Sequence, residues 1–535
     1  MSATRASGWI VGLGLLASMP AYGLPAGGAP ADHGQDTVSA PTDLPIPAET
    51  LLRNTAGTEG VASRDLVLPE PPAVTVEIPA PARAQTAGGV FLDLPPAPVQ
   101  ITRDDILPGA IELRLADAKL PLPPKLSRRD REGLTAFYAA SRYRSLWIVD
   151  GAWTARAQAV SDTLAQADAE GHDPADYPVP RLEVGTKALT AGDLAEAELK
   201  LSAAAYLYAR NARGGRIDPS RISGLITPKL ELPSVDAVLT ALVASAEPDQ
   251  TLVGYNPAYP GYRALRAKLA DIRANRPAVA RSLSTSAEIR QAAAGISDMA
   301  ALPKLAPARL ESDIVANMER WRWLPAQVSP RYILVNVPEF RLRLIEDGQV
   351  RHETRVIIGK TETPTPIFTG KLDHAVVNPS WFVPPSIIKK DFSDGVAKPG
   401  YTVTRRGKTV VVRQPPGPKN ALGYIKLMFP NDHAVYLHDT PSRHLFGSAS
   451  RAFSHGCVRV ENPFALAGKI MGPDWTEERL KRLIGWGERY IAVPDKFPVN
   501  MAYFTVSVDE FGELKTFGDI YGFHRRVRAA LGLGA

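Results

Sequence analysis

The sequence predicts an α+β protein in which a helical domain is followed by a mostly β domain with a few short helices. Apolar residues recur at helical spacing between about residues 126 and 275, and the period changes to two from residue 326 to about residue 523. The 48 prolines cluster near the N-terminus. At 535 residues the chain exceeds the usual size of one hydrophobic core, so we expect two or three domains.

The first 23 residues have the pattern of an export signal. Arg5 supplies a positive start, Trp9 to Leu16 is a short apolar run, and small residues follow from Ala21 to Gly23. The apolar run is shorter than the ~20 residues that span a bilayer comfortably. We therefore predict a signal peptide over residues 1–23 and a periplasmic location, with an uncleaved N-terminal anchor as the alternative.

A tether is predicted before the helical domain, and a linker is predicted after it. Residues 24–125 are rich in Pro, Ala and Gly, as in PEPPAVTVEIPAPARA, and sustain neither a helical nor a strand period. This composition predicts a disordered or extended tether. Residues 276–325 are predicted to be a linker that ends in a short helix capped by Ser312.

The helical domain is predicted to span residues 126–275. Leu134 and Tyr138 lie on one face of a first amphipathic helix, and a second helix begins near Thr154. His172 is interpreted as a loop residue, because no cluster of catalytic side chains accompanies it. Further helices are expected at about residues 193–211, 235–246 and 262–274.

Residues 326–523 are predicted to form the mostly β domain. Asp347 and Gly348 predict a tight hairpin turn, and short helices are expected at residues 462–471 and 476–486. The chain is predicted to close with the hairpin MAYFTVSVDEFGELKTF. The other segments that read as strands are RYILVNV, FRLRLI, QVRHETRVIIG, HAVVN, YTVTRRGKTVVVR, GYIKLMF and HAVYLH.

Charge and cysteine usage narrow the classes of function. A net charge of +6 is a mild bias over this length, and no basic block predicts binding to nucleic acid. The single cysteine excludes an intrachain disulfide. An exported protein meets oxidising conditions, where a spare thiol is a liability. Cys457 is therefore either a buried, inert residue or a thiol that is kept for its chemistry.

The residues around Cys457 favour a reactive thiol over a buried, inert cysteine. In YLHDTPSRHLFGSASRAFSHGCVRVENP, His438 ends a strand and His455 lies two residues before the cysteine. A thiol of pKa about 8.5 is mostly protonated at neutral pH, so attack needs a nearby base or cation, which the histidines and Arg459 supply. Gly456 would let a carbonyl approach the backbone, whose amides would donate to an oxyanion. The spacing does not choose between His438 and His455 as the base.

The alternative for this segment is a zinc site. Four of its side chains are of types that ligate zinc, namely His438, His444, His455 and Cys457. Their spacing matches none of the usual structural zinc patterns and there is no second cysteine, so we predict no metal. A satisfied core histidine is the default interpretation for His352, His374, His433 and His524.

A His-bearing strand followed by SHGCVR resembles the catalytic domain of the L,D-transpeptidase (YkuD-type) family. The same resemblance extends to NMERWRWLP, RYILVNVPEFRLRL, NPSWFVPPSI, LHDTPSRHLFG and YFTVSVDEFGELKTFGDIYG. These stretches are similar to the large proteobacterial branch of the family. Residues 126–275 resemble the scaffold domain of that branch. The implied fold is a helical scaffold domain plus a mostly β catalytic domain, with a lid insertion at about residues 378–414.

The resemblance implies an enzyme that cross-links peptidoglycan stem peptides without a cofactor. Cys457 would attack the carbonyl of the L-centre of the third stem residue, a diamino acid, and expel the terminal D-alanine. The side-chain amine of a neighbouring stem would then resolve the thioester to a 3→3 cross-link. Because the family is acylated by carbapenems, the same thiol chemistry is expected here.

Residue roles follow from the resemblance by position. Cys457 is the nucleophile and His438 the proton donor and acceptor, with the backbone carbonyl after His438 orienting its ring. His455 is placed beside them in the catalytic set. The oxyanion and substrate side is assigned to Ser454, Gly456, Arg459, Tyr436 and the lid residue Trp381.

One departure and three alternatives remain. Members of this branch often carry a peptidoglycan-binding module between scaffold and catalytic parts, for which residues 275–310 are too few. Binding to the cell wall must then come from the pocket, the scaffold, the tether or a partner such as a peptidoglycan synthase or carboxypeptidase. Water as acceptor would give an L,D-carboxypeptidase, and a protein N-terminus would give attachment of an outer-membrane protein. A non-catalytic wall-binding protein is the alternative of another class, against which Cys457 and His438 argue.

Overall fold

The computed structural model describes residues 83–85, 91–93, 102–182, 189–274, 307–392, 398–407 and 409–534. The predicted signal peptide, most of the predicted tether and most of the predicted linker lie outside these residues. The chain divides into two compact units, Met1–Ala97 and Pro98–Ala535. Within the first unit, β1 (Arg83–Gln85) and β2 (Phe91–Asp93) pair antiparallel.

The helical domain is built around one long helix. Its helices are α1 (Arg103–Ala116), α2 (Arg128–Ala140), α3 (Ala155–Ala165), α4 (Ala191–Gly214), α5 (Val235–Ala244), α6 (Pro248–Val253) and α7 (Pro260–Ala274). A small hairpin of β3 (Ile148–Val149) and β4 (Ala152–Trp153) follows α2. Helix α4 is alanine-rich and buried along most of its length, so neighbouring helices pack closely around it. The prediction of a helical domain is confirmed.

The domain begins earlier than the sequence predicted. Helix α1 lies inside the segment interpreted as tether, and its Leu107 and Ile111 are fully buried in the same core as α4. Leu120 and Leu122 join that core. The tether prediction is therefore wrong over this stretch. Pro108, inside α1, masks the helical period in a Pro-rich sequence, although Leu107 and Ile111 are spaced for one helix face.

A helix at the junction with the β domain fixes the chain that follows α4. Helix α8 (Pro307–Trp321) begins at a proline, as first helical turns often do. Ser312 lies inside it and donates to the Ala308 carbonyl at 2.9 Å, so the prediction that Ser312 caps the helix is wrong. The buried Glu319 carboxylate accepts the backbone amides of Arg216 and Ile217 at 2.5 and 3.0 Å.

The β domain is one curled sheet. Its strands are β5 (Arg331–Asn336), β6 (Arg341–Glu346), β7 (Gln349–Gly359), β8 (Thr369–Lys371), β9 (His374–Val377), β13 (Ile425–Met428), β14 (Leu437–His438), β15 (Ala452–Ser454), β16 (Val458–Val460), β17 (Arg489–Ala492) and β18 (Pro498–Ala502). Their order in the sheet is β17-β9-β13-β14-β16-β7-β6-β5-β18-β8, and β15 pairs with β7. The hairpin of β6 and β7 turns at Asp347 and Gly348, whose φ angles are both positive, as a type I′ turn requires. The predicted α+β class is confirmed.

A separate small sheet occupies the predicted lid segment. It consists of β10 (Trp381–Phe382), β11 (Thr402–Arg406) and β12 (Thr409–Gln414), and α9 (Pro385–Asp391) follows β10. Val383, Phe392 and Val412 form its own hydrophobic cluster, apart from the main core. The insertion is therefore a folded subdomain with an apolar centre.

The β domain also extends beyond the predicted boundary. After α10 (Pro463–Ile470), α11 (Glu477–Lys481) and the hairpin of β19 (Val506–Val508) and β20 (Leu514–Thr516), the chain ends in α12 (Phe523–Ala530). Phe523 and Val527 of α12 are buried in the core of the β domain, and Arg528 pairs with Asp313 of α8 at 3.1 Å. The boundary at residue 523 is therefore too early.

None of the helices in the described part of the chain is long and apolar enough to cross a membrane.

Candidate active site

Two neighbouring parallel strands carry the side chains that the sequence predicts to react. In the register of β14 with β16, His438 lies beside Arg459. Two residues earlier, the amide of Val458 donates to the carbonyl of Tyr436 at 3.2 Å. Because side chains alternate along a strand, Tyr436 and His438 share a face of the sheet with Cys457 and Arg459.

A cavity of about 450 Å³ opens onto this face. Its wall contains all eight of the site residues predicted from the sequence, namely Trp381, Tyr436, His438, Ser454, His455, Gly456, Cys457 and Arg459. The fold thus brings together Tyr436 and His438, the stretch from Ser454 to Arg459, and the distant Trp381. The roles of the eight residues remain predictions.

His438 is a buried imidazole that stays neutral. Its Nδ1 lies 2.5 Å from the backbone carbonyl of Asp439. Because a carbonyl only accepts, Nδ1 carries the hydrogen and Nε2 is left as the nitrogen that can take a proton. Burial and the charge of Arg459 lower the pKa of His438 to about 3, although the carbonyls of Asp439 and Leu422 raise it.

The Asp439 side chain secures that arrangement from behind. Its carboxylate is buried, accepts the Tyr424 amide at 2.9 Å and pairs with Arg443 at 3.2 Å. Gly423 lies against it, with φ +62. Tyr424 and Arg443 therefore hold the Asp439 side chain in place. Its backbone carbonyl, which orients His438, is fixed along with it.

Cys457 is a half-buried thiol immediately before β16. Burial raises the pKa of Cys457, while hydrogen bonds from the backbone and hydroxyl of Tyr436 and the charges of Arg459 and Lys426 lower it in part. Its Sγ lies 3.7 Å from the carbonyl of Ala434. The resting site therefore holds a neutral thiol beside a neutral imidazole.

The lid reaches this thiol through Tyr436. The Trp381 indole donates to the Tyr436 hydroxyl, and that hydroxyl donates to the Cys457 sulfur. Burial and the neighbouring Cys457 raise the pKa of Tyr436, so the phenol remains a donor. Trp381 thus connects the small sheet of the insertion to the Cys457 sulfur.

Gly456 adopts a conformation that favours glycine, with φ +117. Its amide donates to the Ser454 hydroxyl at 3.1 Å, and that hydroxyl donates to the Cys457 carbonyl at 2.5 Å. The sequence predicted that the amides around Gly456 and Cys457 would donate to an oxyanion. The Gly456 amide donates to Ser454 instead, so the prediction is corrected for that amide, and donation by the Cys457 amide stays a prediction.

A supporting layer that the sequence did not predict lies beneath this turn. Thr365 donates from its hydroxyl to the Gly456 carbonyl and accepts the Gly359 amide, both at 2.8 Å. The Tyr521 hydroxyl accepts the Thr365 amide at 3.2 Å and donates to the Gly359 carbonyl at 2.5 Å. The only signal was that Tyr521 lies in the FGDIYG stretch of the family resemblance.

Three further histidines lie near this site in the chain, and two of them line the cavity. His455 lies exposed at the cavity wall. His433, interpreted from the sequence as a core residue, also lines the cavity, and no sequence signal indicated it. His444 is exposed on a short 3-10 helix and does not line the cavity. Among the residues that the structure describes, no group of three or more His, Cys, Asp or Glu side chains is placed to hold a metal ion.

Two family models match the chain. Residues 132–269 match a scaffold domain, and residues 330–481 match the L,D-transpeptidase catalytic domain. A putative L,D-transpeptidase from Haemophilus influenzae is 32% identical over 260 residues, which cover 43% of this chain and 52% of that protein. The chain thus spans about half the length of this curated relative.

Solved structures also match. An L,D-transpeptidase from Mycobacterium smegmatis is 14% identical, with a TM-score of 0.19 over 32% of this chain and 58% of that one. L,D-transpeptidase 3 from Mycobacterium tuberculosis, in complex with a faropenem-derived adduct, is 12% identical, with a TM-score of 0.19 over 32% and 60%.

Proposed function

The chain belongs to the L,D-transpeptidase (YkuD) family through its catalytic domain, and from that premise we propose that it forms 3→3 cross-links between peptidoglycan stem peptides. The observation that carries the proposal is the pairing of β14 with β16. It brings a thiol at Cys457 and a proton-accepting imidazole at His438 into one cavity.

The first half-reaction is acylation of Cys457. As the sulfur attacks the carbonyl of the L-centre of the third stem residue, its proton passes to Nε2 of His438. The S–C bond forms, the C–N bond to the terminal D-alanine breaks, and His438 returns the proton to the leaving amine. Since both groups are neutral at rest, proton transfer accompanies the attack and no thiolate–imidazolium pair precedes it.

The second half-reaction resolves the thioester. The amine of a neighbouring stem attacks the acyl carbon, the C–S bond breaks, and the amine proton returns to the sulfur through His438. Tyr436 and Arg459 stabilise the negative charge that develops on sulfur in both steps, by hydrogen bond and by charge. No cofactor enters this scheme.

Two further acceptors fit the same acyl-enzyme. Water would make the protein an L,D-carboxypeptidase, and the N-terminus of an outer-membrane protein would attach that protein to the wall. A non-catalytic wall-binding protein is less well supported, because that role requires neither the neutral imidazole nor the hydroxyl that contacts the sulfur.

The location and partners are part of the proposal. An export signal over residues 1–23 would deliver the protein to the periplasm, where peptidoglycan stem peptides are available. A peptidoglycan synthase or a carboxypeptidase would supply the nascent strand or the tetrapeptide stem.

Turnover of purified disaccharide-tetrapeptide tests the proposal. The wild-type protein should release D-alanine and form a dimer whose fragmentation shows the 3→3 bond, and Cys457→Ala should do neither. A shortened tripeptide alone would favour the carboxypeptidase. Release of D-alanine with a dimer only when a peptide mimicking a protein N-terminus is added would favour protein attachment. Neither product from folded wild-type protein would contradict the proposal.

A further inference from the structure

We infer that residues 225–227 of the helical domain form one wall of the active-site cavity and position the peptide substrate against Cys457. The inference rests on the proposed function. Among the described residues that line the cavity, Leu225 alone comes from the helical domain. Every other lining residue belongs to the β domain.

The segment is joined to the β domain by backbone pairing. Ile226 forms a parallel bridge with Ile367, just before β8. The Thr227 amide donates to the Ile367 carbonyl at 2.9 Å, and the Ile367 amide donates to the Leu225 carbonyl at 2.8 Å. Ile226 is buried in the catalytic core, so the segment acts as an extra piece of the sheet.

A side-chain contact ties the same segment to the cavity wall. The Thr227 hydroxyl lies 2.7 Å from Nε2 of His433, which itself lines the cavity. The His433 ring packs against Phe368 with centroids 5.1 Å apart. The helical domain therefore holds one of the residues that shape the cavity in addition to supplying Leu225.

The segment that pairs with residues 225–227 also contacts the turn that carries Cys457. Thr365, two residues before Ile367, donates to the Gly456 carbonyl, and Pro364 and Pro366 line the cavity. The stretch from Thr363 to Ile367 thus has the nucleophile turn on one side and the helical-domain segment on the other. A displacement of residues 225–227 would be felt at the cavity wall.

The preceding chain is fixed as well. The Arg216 and Ile217 amides are held by the buried Glu319, and Arg526 donates to the Ile222 carbonyl at 3.0 Å. A wall held at several points is pre-organised, so little ordering entropy is lost when a ligand binds.

The chemistry of the wall indicates which part of the substrate it contacts. Leu225 is half-buried and, with Pro364, Pro366 and Val435, presents apolar surface to the cavity. Alanine methyls and the methylene chain of a diamino acid are the aliphatic parts of a stem peptide. We therefore assign Leu225 as a specificity-determining residue that contacts those groups, while Ile226 serves the core.

Binding to a chemically silent protein tests this assignment. The affinity of disaccharide-tetrapeptide is measured by calorimetry for full-length Cys457→Ala and for the same protein with Leu225→Ala added. We expect binding to weaken roughly tenfold, the effect of trimming one apolar contact in a pocket. Leu232→Ala is the matched control, because Leu232 lies on the same connecting segment, is 51% exposed and is absent from the cavity wall.

A kinetic measurement separates positioning from a purely structural effect. In the protein with Cys457 intact, Leu225→Ala should raise KM by a similar factor with kcat nearly unchanged. Alkylation of Cys457 by iodoacetamide should keep its wild-type rate, because Leu225 takes no part in the hydrogen bonds to the sulfur.

The outcomes distinguish this inference from the proposed function. Equal affinities with and without Leu225→Ala would overturn the inference, as would a Cys457→Ala protein that binds no tetrapeptide. If Leu225→Ala weakens tetrapeptide binding as expected but the wild-type protein yields no cross-linked product, only the proposed function is contradicted.

Discussion

Nδ1 of His438 lies 2.5 Å from the backbone carbonyl of Asp439, and this contact decides which ring nitrogen is available to take a proton. The carbonyl fixes the hydrogen on Nδ1, and the other nitrogen is free for acid–base work. Since burial keeps the ring neutral, the proposed transfer of the thiol proton to His438 does not require the ring to lose a proton first.

Removing the imidazole should therefore slow acylation without unfolding the protein. We expect His438→Ala to acylate with a carbapenem about 10²–10⁴ times more slowly than wild type, the usual contribution of a general base. His444→Ala, which removes an exposed histidine outside the cavity, should acylate at the wild-type rate. Stopped-flow fluorescence measures both rates. Wild-type acylation by His438→Ala would mean that another group is the base.

The pH dependence of acylation follows from the two pKa shifts. The pKa of His438 is about 3, so the base stays unprotonated at pH 5, where an ordinary imidazole would be almost fully charged. The acylation rate should then fall by less than about threefold between pH 7 and pH 5, whereas a base of pKa about 6.5 would lose more than tenfold. A loss of that size, with circular dichroism unchanged, would contradict the neutral resting pair.

The rate of alkylation by iodoacetamide measures how the Cys457 thiol ionises with pH. Burial raises the pKa of Cys457, so in wild-type protein the iodoacetamide rate should rise only at a pH above the ordinary cysteine range. Tyr436→Phe removes a hydrogen bond that stabilises the thiolate, so the rise should move to still higher pH. A midpoint below about pH 7 in wild type would instead indicate a preformed thiolate.

Gly423 is predicted to be intolerant of a side chain. A Cβ built there would come within 2.4 Å of the Asp439 carboxyl group, whose backbone orients His438. Gly423→Ala should therefore cut the acylation rate strongly as well as lower stability. Gly348→Ala has a similarly positive φ of +77 but nothing within 4 Å, so it isolates the cost of backbone strain. Equal acylation rates for the two variants would refute the steric argument.

The layer beneath the turn that carries Cys457 gives a stability test. Tyr521→Phe leaves the buried Thr365 amide without its partner, which should lower the free energy of unfolding by about 1–3 kcal/mol. Acylation should also slow, because Thr365 holds the Gly456 carbonyl. Tyr490→Phe, at a tyrosine that is 68% exposed, is the control for urea unfolding and for acylation. Unchanged values for Tyr521→Phe would mean that the layer is redundant.

The sequence predicted the part of the site that is local in the chain. Ser454 to Arg459 form one motif, and His438 ends the neighbouring strand, so their residue types and spacing were readable without a structure. Leu225 and His433, which line the cavity, and Thr365, which supports the Gly456 turn, were missed because contacts between distant segments alone bring them there. No periodicity or composition records such contacts between distant segments.

The same contrast applies to the fold: elements with a local sequence signal were predicted, and elements that depend on distant packing were missed. Alternating apolar residues predicted the strands of the large sheet, and the turn at Asp347 and Gly348 was readable from its residue types. Helix α1 was missed because its proline and its Pro-rich surroundings hid a helix that is stabilised by packing on α4. Helix α12 was missed because it is only eight residues long and is anchored by Phe523 and Val527.

The most direct test of the central claim is intact-protein mass spectrometry of full-length protein with and without a carbapenem, beside Cys457→Ala. We predict one drug-sized adduct on the wild-type protein and none on the variant, which should keep its fold because a half-buried thiol contributes little packing. A folded wild-type protein that gains no adduct, or a variant that gains the same adduct, would contradict the account of Cys457 as the nucleophile.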